Sequence, residues 1–207
     1  DTNKKLISGF YLDLYAREKK RGGAWMDQCK NRHQTQAGNL QLPIAYLTCN
    51  FSKPNKDQPA LLTHEEVLTL FHEFGHGLQH MLTQINIASI SGINGIEWDA
   101  VEFPSQFMEN FCWQKSALDL FALHYQHKTA MPEELYQRLI NSKNFQCGSD
   151  LIRQLIFSIF DFRIHCDYQP ELGARIQEIL NEWTFCQQRW SYLGPIFSAK
   201  DLLKQLP

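Results

Sequence analysis

The sequence predicts a mainly α-helical protein with a small β-sheet of about three strands near its N-terminus. Three observations favour this class: an alternating pattern at 10–15, an almost continuous apolar run at 42–51, and apolar residues at helical spacing beyond residue 63. The 207 residues suffice to bury a core in one large domain or two small ones. We expect one core over 1–207, made of a small sheet (1–60), a helical body (61–185) and a divergent tail (186–207).

Composition and charge exclude several classes of function. The 20 Lys and Arg residues nearly balance the 22 Asp and Glu residues, so a basic nucleic-acid surface is not expected. No apolar run is long enough to span a membrane, and the N-terminus lacks the apolar stretch of a signal peptide. The six cysteines form no C-x-x-C pair, which argues against thiolate zinc sites and redox motifs. We therefore expect a reducing, cytoplasmic setting; oligomeric state stays open.

The first third of the chain is predicted to form strands. The segment 10–15 alternates apolar and polar residues, and a charged loop ending in two glycines leads to a further apolar stretch at 24–26. The run 42–51 is typical of a strand covered on both faces. The polar segment 52–59, with two prolines, is expected to be the loop that leads to the helical body.

Helices are predicted from Thr63 onward. Thr63 and Glu66 have capping-box spacing, and an apolar stripe follows, so a helix is expected over 64–84. A second helix is expected from about Trp98 to His127, bent early by Pro104. Further helices should open at Pro132, after Gly148-Ser149 and at Pro170. The segment 151–164 is apolar almost all round, so we expect it to be central and buried.

The segment 72–76, HEFGH, is an H-E-x-x-H motif. On a helix, His72 and His76 project from one face and can reach a single ion. Glu73 lies about 100° round the axis, from where it could accept a proton from a water held at the metal. Because the neighbouring residues are apolar, two buried histidines there need hydrogen bonds or a metal. The motif predicts a catalytic metal helix.

A catalytic zinc site needs a third protein ligand. The H-E-x-x-H-x-x-G-x-x-H pattern fails, because Gln79 and Leu82 stand where it has Gly and His, and His80 should point away from the His72/His76 face. The segment after the metal helix offers four carboxylates: Glu97, Asp99, Glu102 and Glu109. Glu102 is the best candidate because it falls among apolar residues. Asp99, three residues earlier, could accept the outer N–H of a liganding histidine.

Extended similarity accompanies these residues. The segments LLTHEEVLTLFHEFGHGLQHMLT and SGINGIEWDAVEFPSQFMENFCW, together with YLDLYAREKKRGGAWMD, resemble the thimet-oligopeptidase family of zinc metallopeptidases. The resemblance implies a zincin-like catalytic core that binds one Zn²⁺ through His72, His76 and Glu102, with Glu73 as the general base. It also implies an endopeptidase (a protease and hydrolase) acting on short peptides, which members of the family cleave inside a channel between two largely helical halves.

Two departures from the family pattern bear on activity. Family members commonly carry His where this chain has Gln79, outside the ligand set. After about Glu182 the family continues into a segment with a His and a Gly-Gly-Tyr/Tyr-Tyr cluster that holds substrate and stabilises the oxyanion. That segment and the family's N-terminal half have no match here. The alternatives are an active oligopeptidase, a zinc-binding but weak or inactive fragment or pseudoenzyme, and, least favoured, a hydrolase of non-peptide amides.

The sequence also predicts how the sheet and the first two helices are arranged. The small sheet should pack on the metal helix, and the helix carrying Glu102 should cross beside it. The strand at 42–51 should lie near the metal, where its edge could hold a peptide through backbone hydrogen bonds. Two other histidine clusters favour structural roles: His124 and His127 at a polar helix end, and His165 as a core histidine ending a buried helix.

Overall fold

The computed structural model of the protein describes residues 4–145 and 147–166. The chain divides into two compact units with their boundary between Arg138 and Leu139. The first unit holds the sheet, the H-E-x-x-H helix and the segments that follow it. The predicted helix at Pro170 and the predicted tail at 186–207 lie outside the described residues.

The described residues form two small sheets and five α-helices. The strands are β1 (Gly9–Tyr15), β2 (Trp25–Lys30), β3 (His33–Gln34), β4 (Leu40–Gln41) and β5 (Ile44–Phe51). The helices are α1 (His64–Met81), α2 (Phe103–Glu109), α3 (Lys115–Phe121), α4 (Glu133–Lys143) and α5 (Cys147–Cys166), with short 3-10 helices at Ala88–Ile90 and Asn110–Trp113. None of these helices combines the length and apolar character that a membrane span requires.

The main sheet has three strands in the order β1-β5-β2 and is packed on α1, as the sequence predicts. Strand β5 runs parallel to β1 and antiparallel to β2. Alternate β5 side chains, among them Ala45, Leu47 and Cys49, are completely buried, the period expected for a strand with one face on the core. Leu47 lies against α1 at Gly77, where a Cβ would be 3.0 Å from the Leu47 Cδ2.

Two predictions about β5 are wrong. Its position between β1 and β2 leaves it no free edge for a peptide, because both sides are hydrogen-bonded to neighbouring strands. It is also not covered on both faces throughout, since the Tyr46 side chain is 44% exposed on the face away from the core. The strand begins at Ile44 rather than at 42, in keeping with Pro43, which has no N–H to donate to a ladder.

The end of the β1–β5 pair is held by a buried ammonium group. The Lys20 Nζ is 2.9 Å from the carbonyl oxygen of Asp13, 3.0 Å from that of Tyr15 and 3.1 Å from the Asp13 carboxylate, and it also donates to the carbonyl of Cys49. Only 3% of the Lys20 side chain is exposed. These bonds lie where the β1–β5 register shifts, between Asp13 and Tyr15, so Lys20 supplies donors at an irregular part of the ladder.

Helix α1 begins where the capping box predicts. The Glu66 backbone N–H donates to the Thr63 hydroxyl (3.2 Å), and the Thr63 N–H donates to the Glu66 carboxylate (2.8 Å). The helix ends at Met81, three residues before the predicted end at 84. Beyond it the chain contains Ile85 and Ile87, whose β-branched side chains lower helix propensity.

The single helix predicted from Trp98 to His127 is wrong. Residues 98–102 form turns, and helical structure is split into α2, a 3-10 helix and α3, with no helix over 122–132. Pro104 stands in the first turn of α2 rather than at a bend. The backbone N–H groups of a first turn have no partner within the helix, so a proline there loses no hydrogen bond. Gln114 adopts an extended conformation (φ −96°, ψ 125°) and separates α3 from the preceding turn.

The last two helices lie close to their predicted positions. Pro132 directly precedes α4, and its carbonyl accepts from the Tyr136 N–H at 3.1 Å. Helix α5 extends over the predicted apolar segment, but the prediction that this segment is central and buried is wrong for its described apolar side chains. Leu151, for example, is 60% exposed and Phe162 69%. An apolar helix becomes central only where other elements cover it, so its apolar character alone does not predict burial.

Candidate active site

Helix α1 presents two histidines side by side. His72 and His76 are four residues apart, and their ring centroids are 5.0 Å apart with the ring planes almost perpendicular. This is the juxtaposition that the i, i+4 spacing predicts. Both side chains are largely buried, His76 more than His72. His80, as expected, points elsewhere: its Nε2 lies 2.9 Å from the carbonyl oxygen of Lys30 in β2.

Glu102 reaches the two histidines from the start of α2. It occupies the residue before the first turn (φ −86°, ψ −4°) rather than a helix interior. The approach of α2 to α1 depends on Gly75, inside the H-E-x-x-H motif, because a Cβ at Gly75 would lie 2.5 Å from the Pro104 carbonyl oxygen and the Ser105 Cα. The missing side chain therefore lets the two backbones pack in direct contact.

The three side chains converge on one point. The Glu102 Oε2 lies 3.2 Å from the His72 Nε2 and 3.2 Å from the His76 Nε2, and all three ligand atoms lie within 4.8 Å of one another. Nitrogen and oxygen ligands at about 2.0–2.2 Å from a tetrahedral zinc are roughly 3.3–3.6 Å apart. The spacing and the donor types therefore fit a metal ion, and half of the Glu102 side chain is exposed.

The proton count at His72 also favours a cation. The His72 Nδ1 lies 2.7 Å from the Glu109 Oε1, while its Nε2 faces Glu102. A neutral imidazole carries only one N–H. If Nδ1–H donates to Glu109, the Nε2 lone pair faces the Glu102 oxygen, and a positive charge (a second proton or a metal ion) has to lie between them.

Burial favours the liganding form of His76. Removal from water lowers the pKa of His76, an effect that the nearby Glu102 carboxylate opposes and that His72 reinforces. Neutral imidazole is the form that coordinates a metal. Ser105 adds an ordering contact, because its hydroxyl donates to the Glu102 Oε2 at 2.8 Å.

Glu73 is buried beside this group. It is only 6% exposed, and a backbone hydrogen bond from Met26 in β2 ties its carboxylate to the sheet. Burial raises the pKa of Glu73, the Glu102 charge raises it further, and His72 opposes both. A buried carboxylate with a raised pKa next to a metal group is suited to proton transfer.

The structure does not bring Asp99 together with the candidate ligands among the residues it describes. Asp99 is exposed in the turn before α2, and it makes none of the hydrogen bonds or ion pairs found among residues 4–145 and 147–166. Because this turn is not helical, the spacing of three residues does not place Asp99 on the face of Glu102. The outer nitrogen of His72 contacts Glu109 instead.

Sequence reasoning missed the roles of Glu109, Ser105 and Gly75. One signal was available: Glu109 follows Glu102 by seven residues, two helical turns, so both carboxylates fall on one face if a helix starts at Glu102. Recognising it required knowing where α2 begins. Gly75 carries no comparable signal, because its function depends on a neighbour that is distant in sequence.

The other histidine clusters do not form a metal group. Among the described residues, His72, His76 and Glu102 are the only set of three candidate ligands that converges. His124 accepts backbone N–H groups of Gln126 and His127 through its Nδ1 and stabilises a turn. His165 contacts the carbonyl of Asp161 (2.8 Å) but is exposed, so the prediction of a core histidine is wrong.

An H-E-x-x-H helix with a mixed sheet packed on it, and a carboxylate supplied by the following helix, defines a zincin-like core. The sequence profile of Peptidase family M3 matches residues 1–197, and the chain belongs to this family. The resemblance found in the motifs is thereby confirmed.

Relatives with known names support the assignment. Oligopeptidase A of Escherichia coli K12 is 55% identical over 182 residues, which cover 88% of this chain and 27% of that protein. The organellar oligopeptidase A of Arabidopsis thaliana is 45% identical over 82% of the chain, and the dipeptidyl carboxypeptidase of Escherichia coli is 39% identical over 80%. The chain spans about a quarter of the length of these relatives.

Proposed function

We propose that this chain is the catalytic core of a zinc-dependent endopeptidase that acts on short peptides. The observation that carries the proposal is the convergence of His72, His76 and Glu102, with two nitrogen–oxygen distances of 3.2 Å, in a member of Peptidase family M3. His72, His76 and Glu102 would hold one Zn²⁺, and Glu73 would be the general base.

The described residues support a hydrolytic reaction. Bound zinc would activate the attacking water and polarise the scissile carbonyl. Glu73 takes one proton from the water as the oxygen bonds to the carbonyl carbon, and it passes that proton to the amide nitrogen as the C–N bond breaks. Ser105 and Glu109 contact the side chains of Glu102 and His72 and orient them.

The substrate class and location are proposed from the relatives. The name oligopeptidase A supports short peptides as substrates, and we propose that they are cleaved internally. The relative named dipeptidyl carboxypeptidase would support removal of a C-terminal dipeptide instead. The products from a peptide of known sequence distinguish the two. We propose a cytoplasmic location, in line with the relative named a probable cytosolic oligopeptidase A; another relative is named chloroplastic/mitochondrial.

Two substitutions test the proposal. Glu73→Gln should keep one zinc per chain and abolish cleavage of a quenched fluorescent peptide, because the amide cannot take the proton. His76→Ala should lose both zinc and cleavage. Metal analysis after reconstitution and the peptide assay measure the two effects. Zinc well below one equivalent in the unsubstituted chain, or unchanged cleavage by Glu73→Gln, would contradict the proposal.

A second candidate function is zinc binding with weak or no catalysis. The observation that favours it is the share of the relatives that this chain spans, about a quarter. The resemblance implies groups that hold the substrate and stabilise the oxyanion in a segment of the family pattern that these residues do not match. One equivalent of zinc together with no cleavage in the same assays would support this candidate.

A further inference from the structure

We propose that Glu109 is a positioning residue of the metal site, which fixes the ring of His72 and its tautomer so that Nε2 is free for the metal. The inference rests on the proposed function, because it concerns how tightly that site holds zinc. It replaces Asp99, which sequence spacing favours, with a carboxylate that the structure places in contact.

The geometry of the contact carries the inference. The Glu109 Oε1 is 2.7 Å from the His72 Nδ1, a distance typical of a charge-assisted hydrogen bond. The Nε2 of the same imidazole faces Glu102, the carboxylate of the candidate ligand set. An acceptor on Nδ1 keeps the proton there and leaves the Nε2 lone pair available.

Glu109 and Glu102 lie at opposite ends of one short helix. Glu109 is the last residue of α2, and Glu102 stands immediately before the first residue of that helix. The same short helix therefore carries the candidate ligand and the carboxylate that orients a second ligand. About one third of the Glu109 side chain is exposed, so its substitution leaves no large cavity.

Zinc affinity of the 207-residue chain tests the proposal. A competition titration with a chromophoric chelator should show affinity falling about 10–100-fold in Glu109→Ala, as for other outer carboxylates of metal-bound histidines. Glu109→Gln keeps a neutral acceptor of the same shape, so its affinity should lie between Glu109→Ala and the unsubstituted chain. Should Glu109→Ala fail to fold, Glu109→Gln must still weaken binding.

Asp99→Asn is the matched control, because it removes a carboxylate from the adjacent turn that contacts neither histidine. Its affinity should stay within about twofold of the unsubstituted chain, as expected of an exposed side chain without contacts. Unchanged affinity in both Glu109 variants, or an equal loss in Asp99→Asn, would overturn the proposal.

A measurement without metal separates this inference from the proposed function. Long-range ¹H–¹⁵N spectra of the metal-free chain report which ring nitrogen of His72 is protonated. Among His72 rings that carry a single N–H, the Nδ1–H form should dominate in the unsubstituted chain and decline in Glu109→Ala. If the unsubstituted chain binds no zinc, the proposed function fails, whereas the role of Glu109 fails if the tautomer is the same in both proteins.

Discussion

Two buried cysteines should have unreactive thiols. Cys49 in β5 and Cys112 after α2 are completely buried, and burial raises the pKa of each thiol to about 11. Nearby carboxylates, Glu73 for Cys49 and Glu109 for Cys112, contribute to these raised pKa values. Because the thiolate is the nucleophile, these cysteines should be inert near neutral pH.

Alkylation rates distinguish the buried thiols from the exposed ones. At pH 8 in the folded protein, iodoacetamide should modify the exposed Cys147 and Cys166 first and leave Cys49 and Cys112 unmodified. All four should react in denaturant. Peptide mass spectrometry after short labelling times distinguishes them, and early modification of Cys49 would contradict its burial.

At the scale of single residues, the sequence predicts the site only where the geometry is local. The juxtaposition of His72 and His76 follows from a spacing of four residues within one helix. Asp99 and Glu109 were distinguished only by the position at which α2 begins, which the sequence placed several residues too early. Helix boundaries are the least certain part of sequence-based prediction, and here that uncertainty decided which carboxylate contacts His72.

At the scale of elements, the crossing of α1 and α2 depends on one absent side chain. Gly75→Ala should destabilise the fold by about 1–3 kcal/mol, because the new Cβ meets backbone atoms of Pro104 and Ser105 that cannot rotate away. The gain in helix propensity from Gly to Ala, at most about 1 kcal/mol, is too small to offset this. Zinc affinity should fall as well, because α2 carries Glu102.

Gly148→Ala provides the control for that substitution. Gly148 is in the first turn of α5, and a Cβ there meets nothing within 4 Å, so stability should be unchanged or slightly raised. Urea unfolding of both variants and the parent measures the effects. A Gly75→Ala protein as stable as Gly148→Ala, with unchanged zinc affinity, would show that the helices tolerate a wider spacing.

The end of the β1–β5 pair depends on Lys20. Lys20→Met keeps most of the apolar stem but removes the ammonium donors from the carbonyls of Asp13, Tyr15 and Cys49. Leaving buried acceptors unpaired costs about 1–3 kcal/mol each, and part of that cost should appear as lost stability. Urea unfolding measures it, with Lys19→Met as the exposed neighbouring control; equal stability of the two variants would contradict the role of Lys20.

The order of the strands illustrates what the sequence could not provide. The apolar run that became β5 was identified correctly, but the same run suits a strand at the centre or at the edge of a sheet. Pairing with β1 on one side and β2 on the other is decided by contacts between distant segments. The free edges of the main sheet therefore belong to β1 and β2, and β2 also contributes Met26, whose backbone contacts Glu73.

At the scale of the whole molecule, we predict slow catalysis by the isolated chain. Losing one donor that stabilises an oxyanion lowers kcat about 10²–10³-fold. Loss of substrate positioning lowers the rate further. Cleavage should therefore be at least about a thousandfold slower than in a full-length relative. Cleavage should not vanish if zinc binds, because Lewis acidity and Glu73 remain. Escherichia coli oligopeptidase A in the same peptide assay is the comparison.

Turnover in the common enzyme range of roughly 1–10³ s⁻¹ would contradict this prediction. Such a result would mean that the 207 residues supply their own oxyanion donors. Absence of cleavage with a full equivalent of zinc would instead support the second candidate function.

The candidate ligands lie on two separate elements, α1 and the start of α2. A bound zinc ion would therefore link these elements in addition to its part in the reaction. An ion held by both would act as a cross-link that only the folded chain can form. By mass action, zinc at a hundred times its dissociation constant would add about 2.7 kcal/mol to the free energy of unfolding. The melting temperature should then rise with free zinc and fall on chelation, so that the concentration of a trace metal sets the thermal tolerance of the protein.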